Sequence, residues 1–285
     1  MAPIRKVRAL LIDLSGTLHV GSEPIKGAVR AIERLREANV PFRFCSNTSK
    51  ESTSALIGRL SKAGFNVHAN ETFTSLGAMR KLLRDKGIKR PYLMLSPSAE
   101  EDFAEFKSTE DVAYDAVVVG LAPTKFTYEN MSEAFRILSS TPTSNSIPLL
   151  ATHRARYVRA QSGELVLGPG PFISALETAV GNGLKAEVVG KPEKTFFEVC
   201  LRDMGVVLES EPTGDEIRVE DVAVIGDDVE ADLAGGAIEL GLKRMLVKTG
   251  KYRPGDEDRS STPPDAVFDS IGDLVEALLS DRSHL

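Results

Sequence analysis

Several short segments of this chain gather residue types able to handle phosphate and a hard cation. Asp13 ends the apolar run Val7-Arg-Ala-Leu-Leu-Ile12 and is followed at once by Leu14-Ser15-Gly16-Thr17. Ser46-Asn47-Thr48 closes a second run that begins at Val40. Gly190-Lys191-Pro192 supplies an ammonium, and Gly226-Asp227-Asp228, with Asp232 beyond it, closes the run Val222-Ala-Val-Ile225. One carboxylate from an early strand and another from a late strand make an oxygen-rich site of the kind Mg²⁺ prefers, where waters and a phosphate oxygen complete the shell. Hydroxyl and amide donors at Ser46 and Asn47, with the Lys191 ammonium, match phosphate oxygens. Taken singly, each group has a plainer reading. Asp13 is equally a turn or cap residue, and Ser46-Asn47-Thr48 an ordinary helix N-cap. Lys191 is equally a solvated turn residue, and Asp228 and Asp232 acids that balance a helix dipole. Their order along one chain is what argues for a site.

Such groups meet only if their strand ends share a rim, which a parallel sheet provides. The apolar pattern predicts that arrangement. Strands over 7–13 and 40–46 alternate with helices over 27–39 and 52–63, the second stopped by Gly64. A helix over 76–86 leads to a break at Gly87 and Pro91. Strands at 92–95, 116–119 and 148–151 then alternate with helices reaching Phe106 and spanning 128–138. Segments 157–158 and 165–167, around Ser162-Gly163, read as a hairpin. After Gly190 come a helix over 195–204, a loop over 209–216, the strand 222–225, a helix to Leu240, the strand 245–247 and a last helix over 271–279. The expected fold is α/β, a doubly wound parallel-sheet (Rossmann-like) core covered on both faces.

Composition narrows the classes. The chain has 285 residues, 42% hydrophobic and 27% charged, enough for one large or two modest domains with a substantial core. A net charge of -6 argues against a nucleic-acid surface. No signal-peptide or membrane-length apolar segment is expected, so the chain reads as cytosolic. Cys45 and Cys200 sit in apolar stretches and read as reduced core residues. Neither they nor the histidines at 19, 68, 153 and 284 have zinc-ligand spacing. Lys191 is followed by Pro192, which excludes a P-loop, and no dinucleotide-binding glycine fingerprint follows a strand. Thr152-His-Arg-Ala-Arg-Tyr157 reads either as substrate-facing or as a solvated basic turn, and Gly168-Pro-Gly-Pro171 as a rigid loop rather than a phosphate cradle. His19 reads as a lone surface histidine.

Together, Asp13-Leu-Ser15-Gly-Thr, Ser46-Asn47-Thr48, Gly190-Lys191-Pro192 and Gly226-Asp-Asp-Val-Glu-Ala-Asp232 resemble the motifs of haloacid dehalogenase-superfamily phosphatases. The resemblance extends over nearly the whole chain and includes the stretch Val247 to Arg253. It implies a discontinuous core, 1–75 and 186–285, with an α/β cap inserted over 76–185. It also implies that Asp13 is the nucleophile, forming an aspartyl-phosphate, with Lys191 balancing charge. Asp13, the Ser15 backbone carbonyl and Asp227 would hold Mg²⁺. Ser46, Asn47, Thr48 and Lys191 would bind phosphate, and Asp228 and Asp232 would support the metal from nearby. The implied partner is a small phosphorylated substrate, with no nucleic acid and no membrane, and the assembly it allows is a homodimer through the cap.

The chain departs from the family at Ser15, where most of these phosphatases carry a second Asp as general acid and base. A missing general acid costs about 10²–10⁴-fold. The loss falls on leaving groups that need a proton, such as alkoxides, and spares pyrophosphate, phosphoramidates and aryl phosphates. The expected function is therefore Mg²⁺-dependent hydrolysis of a small phosphorylated compound, pyrophosphate or phosphoramidate. The alternative is a catalytically weak phosphate-binding or interaction protein on the same scaffold.

Overall fold

The fold was taken from a computed structural model that describes residues 4, 6–107, 112–140, 146–159, 164–208 and 216–282. The chain starts with β1 (Ala9–Asp13), a small antiparallel pair β2 (His19–Val20) and β3 (Glu23–Pro24), α1 (Ala28–Glu37), β4 (Phe42–Ser46) and α2 (Thr53–Lys62). It continues through β5 (Thr72–Thr74), α3 (Ser75–Asp85), β6 (Pro91–Met94), β7 (Ala116–Val119), α4 (Tyr128–Ser139) and β8 (Leu149–Ala151). Then come β9 (Tyr157–Arg159), β10 (Leu165–Leu167), α5 (Gly170–Val180), β11 (Glu187–Val188) and α6 (Lys194–Asp203). The last stretch holds β12 (Val222–Gly226), α7 (Gly236–Glu239), β13 (Lys243–Val247), α8 (Asp256–Arg259), β14 (Ala266–Phe268) and α9 (Ile271–Arg282).

By its contacts the chain divides into two units. One comprises Met1–Ser46, Ile57–Phe73 and Lys191–Leu285, the other Asn47–Leu56 and Thr74–Gly190. The first unit is built on a sheet in the order β14-β13-β12-β1-β4-β5. The pairings from β14 across to β4 are parallel. Every residue of β1 and β12 is buried, as expected of strands covered on both faces. Helix α1 buries Ala28, Ala31, Ile32 and Leu35, the spacing of one helical face, and the chain leaves it through Asn39 at φ 51°. Helix α6 buries Phe196, Phe197, Cys200 and Leu201 in the same way. The thiols of Cys45 and Cys200 are free and buried, with their sulfurs 3.6 Å apart.

The second unit has a parallel sheet in the order β11-β8-β7-β6. Its core includes Val117, Val119, Ile137, Leu149, Ile173 and Leu176. Segment Asn47–Leu56 is fastened within this unit by side-chain hydrogen bonds. Ser49 Oγ accepts from the Leu121 N–H at 2.9 Å and lies 3.2 Å from His153 Nε2, while Thr53 donates through its N–H and hydroxyl to Asp102. The expected hairpin is present as the antiparallel pair β9–β10, its turn lying outside the described residues. Of the loop over 209–216 only Glu216 is described.

Two of the expected helices differ from expectation. The one reaching Phe106 is a 3₁₀ helix over Ala99–Phe106 with Phe103 off helical geometry. The helix to Leu240 is only the short α7, and residues 228–235 run through turns instead. Val229, Leu233 and Ala237 are all buried at four-residue spacing, which imitates a continuous helix in sequence. The interruption falls at Gly235, whose φ is 52° and where a Cβ would lie 2.6 Å from the Pro192 carbonyl oxygen. Among the described residues no helix is long and apolar enough to cross a membrane.

Candidate active site

Parallel register places the acids. Ile12 of β1 pairs with Ile225 of β12, so Asp13 and Asp227 emerge at the same ends of neighbouring strands. Asp232 is returned toward them by a turn in which its N–H donates to the Asp228 carbonyl at 2.9 Å. That return needs Gly226, because a Cβ there would lie 2.4 Å from the Asp232 Cβ. Carboxylate oxygens of Asp13, Asp227 and Asp232 consequently lie within 4.8 Å of one another. Between two of them sits the Lys191 ammonium, 3% exposed. It donates to Asp13 Oδ1 and Asp232 Oδ1, each at 2.6 Å, and to the Cys45 carbonyl at 3.2 Å.

Burial of so many charges shifts their equilibria. Burial favours the neutral form of Lys191, yet the charges of Asp13 and Asp232 outweigh it and hold the ammonium above its ordinary range. Asp232 is raised to about 6, by burial first and by the Asp13 charge next, with Lys191 opposing. Asp227 is raised to about 8 by burial and by the charges of Asp232 and Asp13. Asp228 behaves oppositely. Burial works against its charge, but the Lys251 ammonium and the Ala231 N–H hold it below the usual value.

The residues present fit a hard divalent cation. Asp227 Oδ2 accepts from the Lys251 N–H at 2.6 Å, whereas its Oδ1 is buried without a hydrogen-bond partner among the described residues. A buried oxygen left unsatisfied requires an explanation, and an all-oxygen cluster suits Mg²⁺.

Asp13, Lys191, Asp227 and Asp232 are thus brought together. Asp228 stands beside them, its Oδ1 accepting from the Glu230 and Ala231 N–H groups and its Oδ2 lying 3.2 Å from Lys251 Nζ. Ser46 is buried at the end of β4. Asn47 and Thr48 are half-buried and belong to the second unit. Ser15 is exposed, in a turn closed by the Gly16 N–H donating to the His19 carbonyl at 2.8 Å.

His19 is not a surface histidine, because it is 4% exposed. Its Nδ1 lies 2.9 Å from the Gly21 carbonyl, which can only accept, so Nδ1 carries the proton. Nε2 faces the Arg59 guanidinium at 3.5 Å. In the second unit, Thr152 and His153 are buried, whereas Arg154, which pairs with Glu177 at 2.6 Å, Arg156 and Tyr157 are exposed, so only the basic end of that segment is solvated. The Gly168 and Gly170 N–H groups donate to the Arg156 and Ala155 carbonyls, which leaves neither for a phosphate.

The loop after β13 lies in the stretch Val247 to Arg253 that the resemblance includes, but sequence reasoning assigned its residues no role. Thr249 donates its hydroxyl to the Gly16 carbonyl, and Lys251 donates its N–H to Asp227. Its position after the carboxyl end of a parallel strand was the available signal.

Residues 10–108 match the family model of the haloacid dehalogenase-like hydrolases, and residues 188–274 match one described as HAD-hydrolase-like. The chain is 44% identical over 279 residues to haloacid dehalogenase-like hydrolase domain-containing protein 2 from Homo sapiens, covering 98% of each. It is 34% identical over 287 residues to phospholysine phosphohistidine inorganic pyrophosphate phosphatase from Homo sapiens, again covering 98% of each. Among solved structures, a 4-nitrophenylphosphatase from Thermotoga maritima superposes with a TM-score of 0.84 at 25% identity, covering 98% of this chain and 100% of that one. A p-nitrophenyl phosphatase from Archaeoglobus fulgidus does so with a TM-score of 0.80 at 27% identity, covering 95% and 99%. Matched from end to end at such identity, the chain belongs to the haloacid dehalogenase-like hydrolases and is a phosphatase of that superfamily.

Proposed function

We propose that this phosphatase is a cytoplasmic, Mg²⁺-dependent enzyme that hydrolyses small phosphorylated compounds through a phosphoenzyme at Asp13. The observation that carries the reading is the buried Lys191 ammonium bonded to both Asp13 and Asp232, beside the unpartnered Asp227 Oδ1. Asp13, the Ser15 carbonyl and Asp227 would hold the cation, which when bound supplies charge neutralisation at phosphoryl oxygens.

The protein's own residues carry the remaining steps. A carboxylate oxygen of Asp13 attacks phosphorus, and the bond from phosphorus to the leaving atom breaks with its electron pair leaving on that atom. Water then attacks phosphorus in the aspartyl-phosphate. The Asp13 oxygen is released as carboxylate and the water's proton passes to the departing phosphate. Lys191 holds the Asp13 carboxylate in place through its hydrogen bond to Oδ1, and faces the charge that builds as phosphate approaches an anion. Ser46, Asn47 and Thr48 are assigned to phosphate binding, Asp228 and Asp232 to support of the metal site, and an inserted cap over 76–185 to substrate choice.

The leaving group is where this chain is particular. Ser15 offers no proton at neutral pH, and both ring nitrogens of His19 face partners. We therefore assign substrates whose leaving group departs without protonation by the enzyme: pyrophosphate, phosphoramidates and aryl phosphates. One relative is named for phospholysine, phosphohistidine and inorganic pyrophosphate, which is consistent with that class.

The test is a panel of pyrophosphate, a phosphoramidate, an aryl phosphate and a sugar phosphate, each with Mg²⁺ and with chelator. Turnover is expected only with Mg²⁺ and lowest on the sugar phosphate. Equal turnover in chelator, or a preference for the sugar phosphate, would refute the reading.

A further inference from the structure

The loop Thr249-Gly250-Lys251 encloses one oxygen of Asp227. A Cβ at Gly16 would lie 2.0 Å from Asp227 Oδ2, and a Cβ at Gly250 would lie 2.2 Å from the same atom. Neither distance is tolerable, and both glycines have positive φ, 98° and 57°. The carboxylate therefore occupies a slot between two glycine α-carbons. At the end of that slot the Lys251 N–H donates to Oδ2 at 2.6 Å. The slot is closed by Thr249, whose hydroxyl donates to the Gly16 carbonyl and ties the loop after β13 to the turn that carries Ser15. The hydrogen bond falls on Oδ2 only, and Oδ1, which also lies against Gly16, has no hydrogen-bond partner among the described residues.

An aspartate placed just past a strand end could otherwise rotate about both side-chain torsions, exchanging its oxygens. The slot removes that freedom before any ligand arrives. We propose that Thr249 and Gly250 are positioning residues that lock Asp227 through Oδ2, so that Oδ1 is presented to a divalent cation in fixed orientation. This inference rests on the metal-dependent reading above. It adds that cation affinity depends on a loop containing no cation ligand. Second-layer groups that orient a ligand typically change metal affinity by about 10–100-fold when removed.

Calorimetric titration of the full chain with Mg²⁺ tests it, on the parent, Thr249→Val, Thr249→Ser, Gly250→Ala and Asp227→Asn, with circular dichroism as the check of folding. Valine matches threonine in shape without the hydroxyl, so Thr249→Val should bind Mg²⁺ about 10–100-fold more weakly. Serine restores the donor, so Thr249→Ser should bind within a few-fold of the parent, which a merely space-filling role would not predict. Gly250→Ala places a methyl group on Oδ2 and should weaken binding comparably; if Thr249→Val fails to fold, this variant decides. Parent-like affinity in folded Thr249→Val or Gly250→Ala, or a Thr249→Ser as weak as the valine variant, overturns the inference. Asp227→Asn separates the two claims. If it loses Mg²⁺ while the loop variants keep it, only the loop argument fails, and if it keeps Mg²⁺ the metal reading fails with it.

Discussion

Exchanging Asp227 for asparagine should reverse part of the protein's dependence on pH. Burial, with the charges of Asp232 and Asp13, raises the Asp227 carboxyl from an ordinary 3.8 to about 8. A carboxyl raised on folding contributes stability that is complete below the unfolded value and is lost as pH rises through the folded one. Between the two values the native state holds one proton more than the unfolded state, so unfolding free energy falls by about 1.4 kcal/mol per pH unit. Over two units, from pH 5.5 to 7.5, the loss from this one group is about 3 kcal/mol. Asparagine keeps the shape, accepts the Lys251 N–H through its carbonyl and does not titrate. Asp232, whose charge contributes to the Asp227 shift, also titrates near this range, so Asp232→Asn is carried through the same series beside Asp227→Asn. The assay is urea unfolding of parent and Asp227→Asn in chelator at pH 5.5, 6.5 and 7.5. The variant should gain on the parent by about 3 kcal/mol across that range. A difference that stays constant with pH would refute the argument, because the proton would then not reside on Asp227 in the folded state.

Asp13→Asn should abolish phosphate release while leaving circular dichroism unchanged, because the amide is near-isosteric but cannot attack phosphorus as an anion; turnover by the folded variant would exclude Asp13 as nucleophile. Lys191→Met should lose turnover and about 3–5 kcal/mol of stability, since two buried carboxylates would be left facing each other, and urea midpoints matching the parent's would contradict this. Ser15→Asp should flatten the dependence of log kcat/KM on leaving-group pKa, helping alkyl phosphates most; a parent slope already shallow for alkyl leaving groups would mean that another group donates the proton.

What the sequence disclosed about the site depended on where each group is carried. Asp13, Asp227 and Asp232 lie at or just beyond the ends of long apolar runs, and Lys191 sits in a Gly-Lys-Pro turn, so side-chain type and position both spoke for them. The loop 249–251 works through a threonine hydroxyl, a missing side chain and a peptide N–H. Backbone groups have no letter in a sequence, and glycine is too common to signal which atom it admits. His19 was misread because a single histidine in a short segment between glycines gives no period from which burial can be read, and one of its partners, Arg59, lies forty positions away. The fold followed the same division. Central strands β1, β4 and β12 were legible as apolar runs, while β5, β11 and β14, two or three residues each, are too short for any period to register. The turns over 228–235 were hidden by a helical spacing of buried residues that a glycine interrupts.

Charge explains why these groups are arranged as they are. Three buried carboxylates face one buried ammonium, which leaves two formal negative charges in a volume where water cannot screen them. Asp228 adds nothing to the excess, since the Lys251 ammonium stands against it. A proton on Asp227 relieves half of what remains, and a divalent cation relieves all of it. A proton and a divalent cation are therefore alternatives at one carboxylate. A fully neutralised cluster could then receive a phosphoryl group without the repulsion that otherwise keeps one anion from attacking another. Lys191 alone cannot supply that neutrality, because its single charge is already divided between Asp13 and Asp232. The same reasoning gives the glycine slot its place. By engaging Oδ2 through a peptide N–H rather than a second ammonium, it orients Asp227 without cancelling the charge that a cation needs.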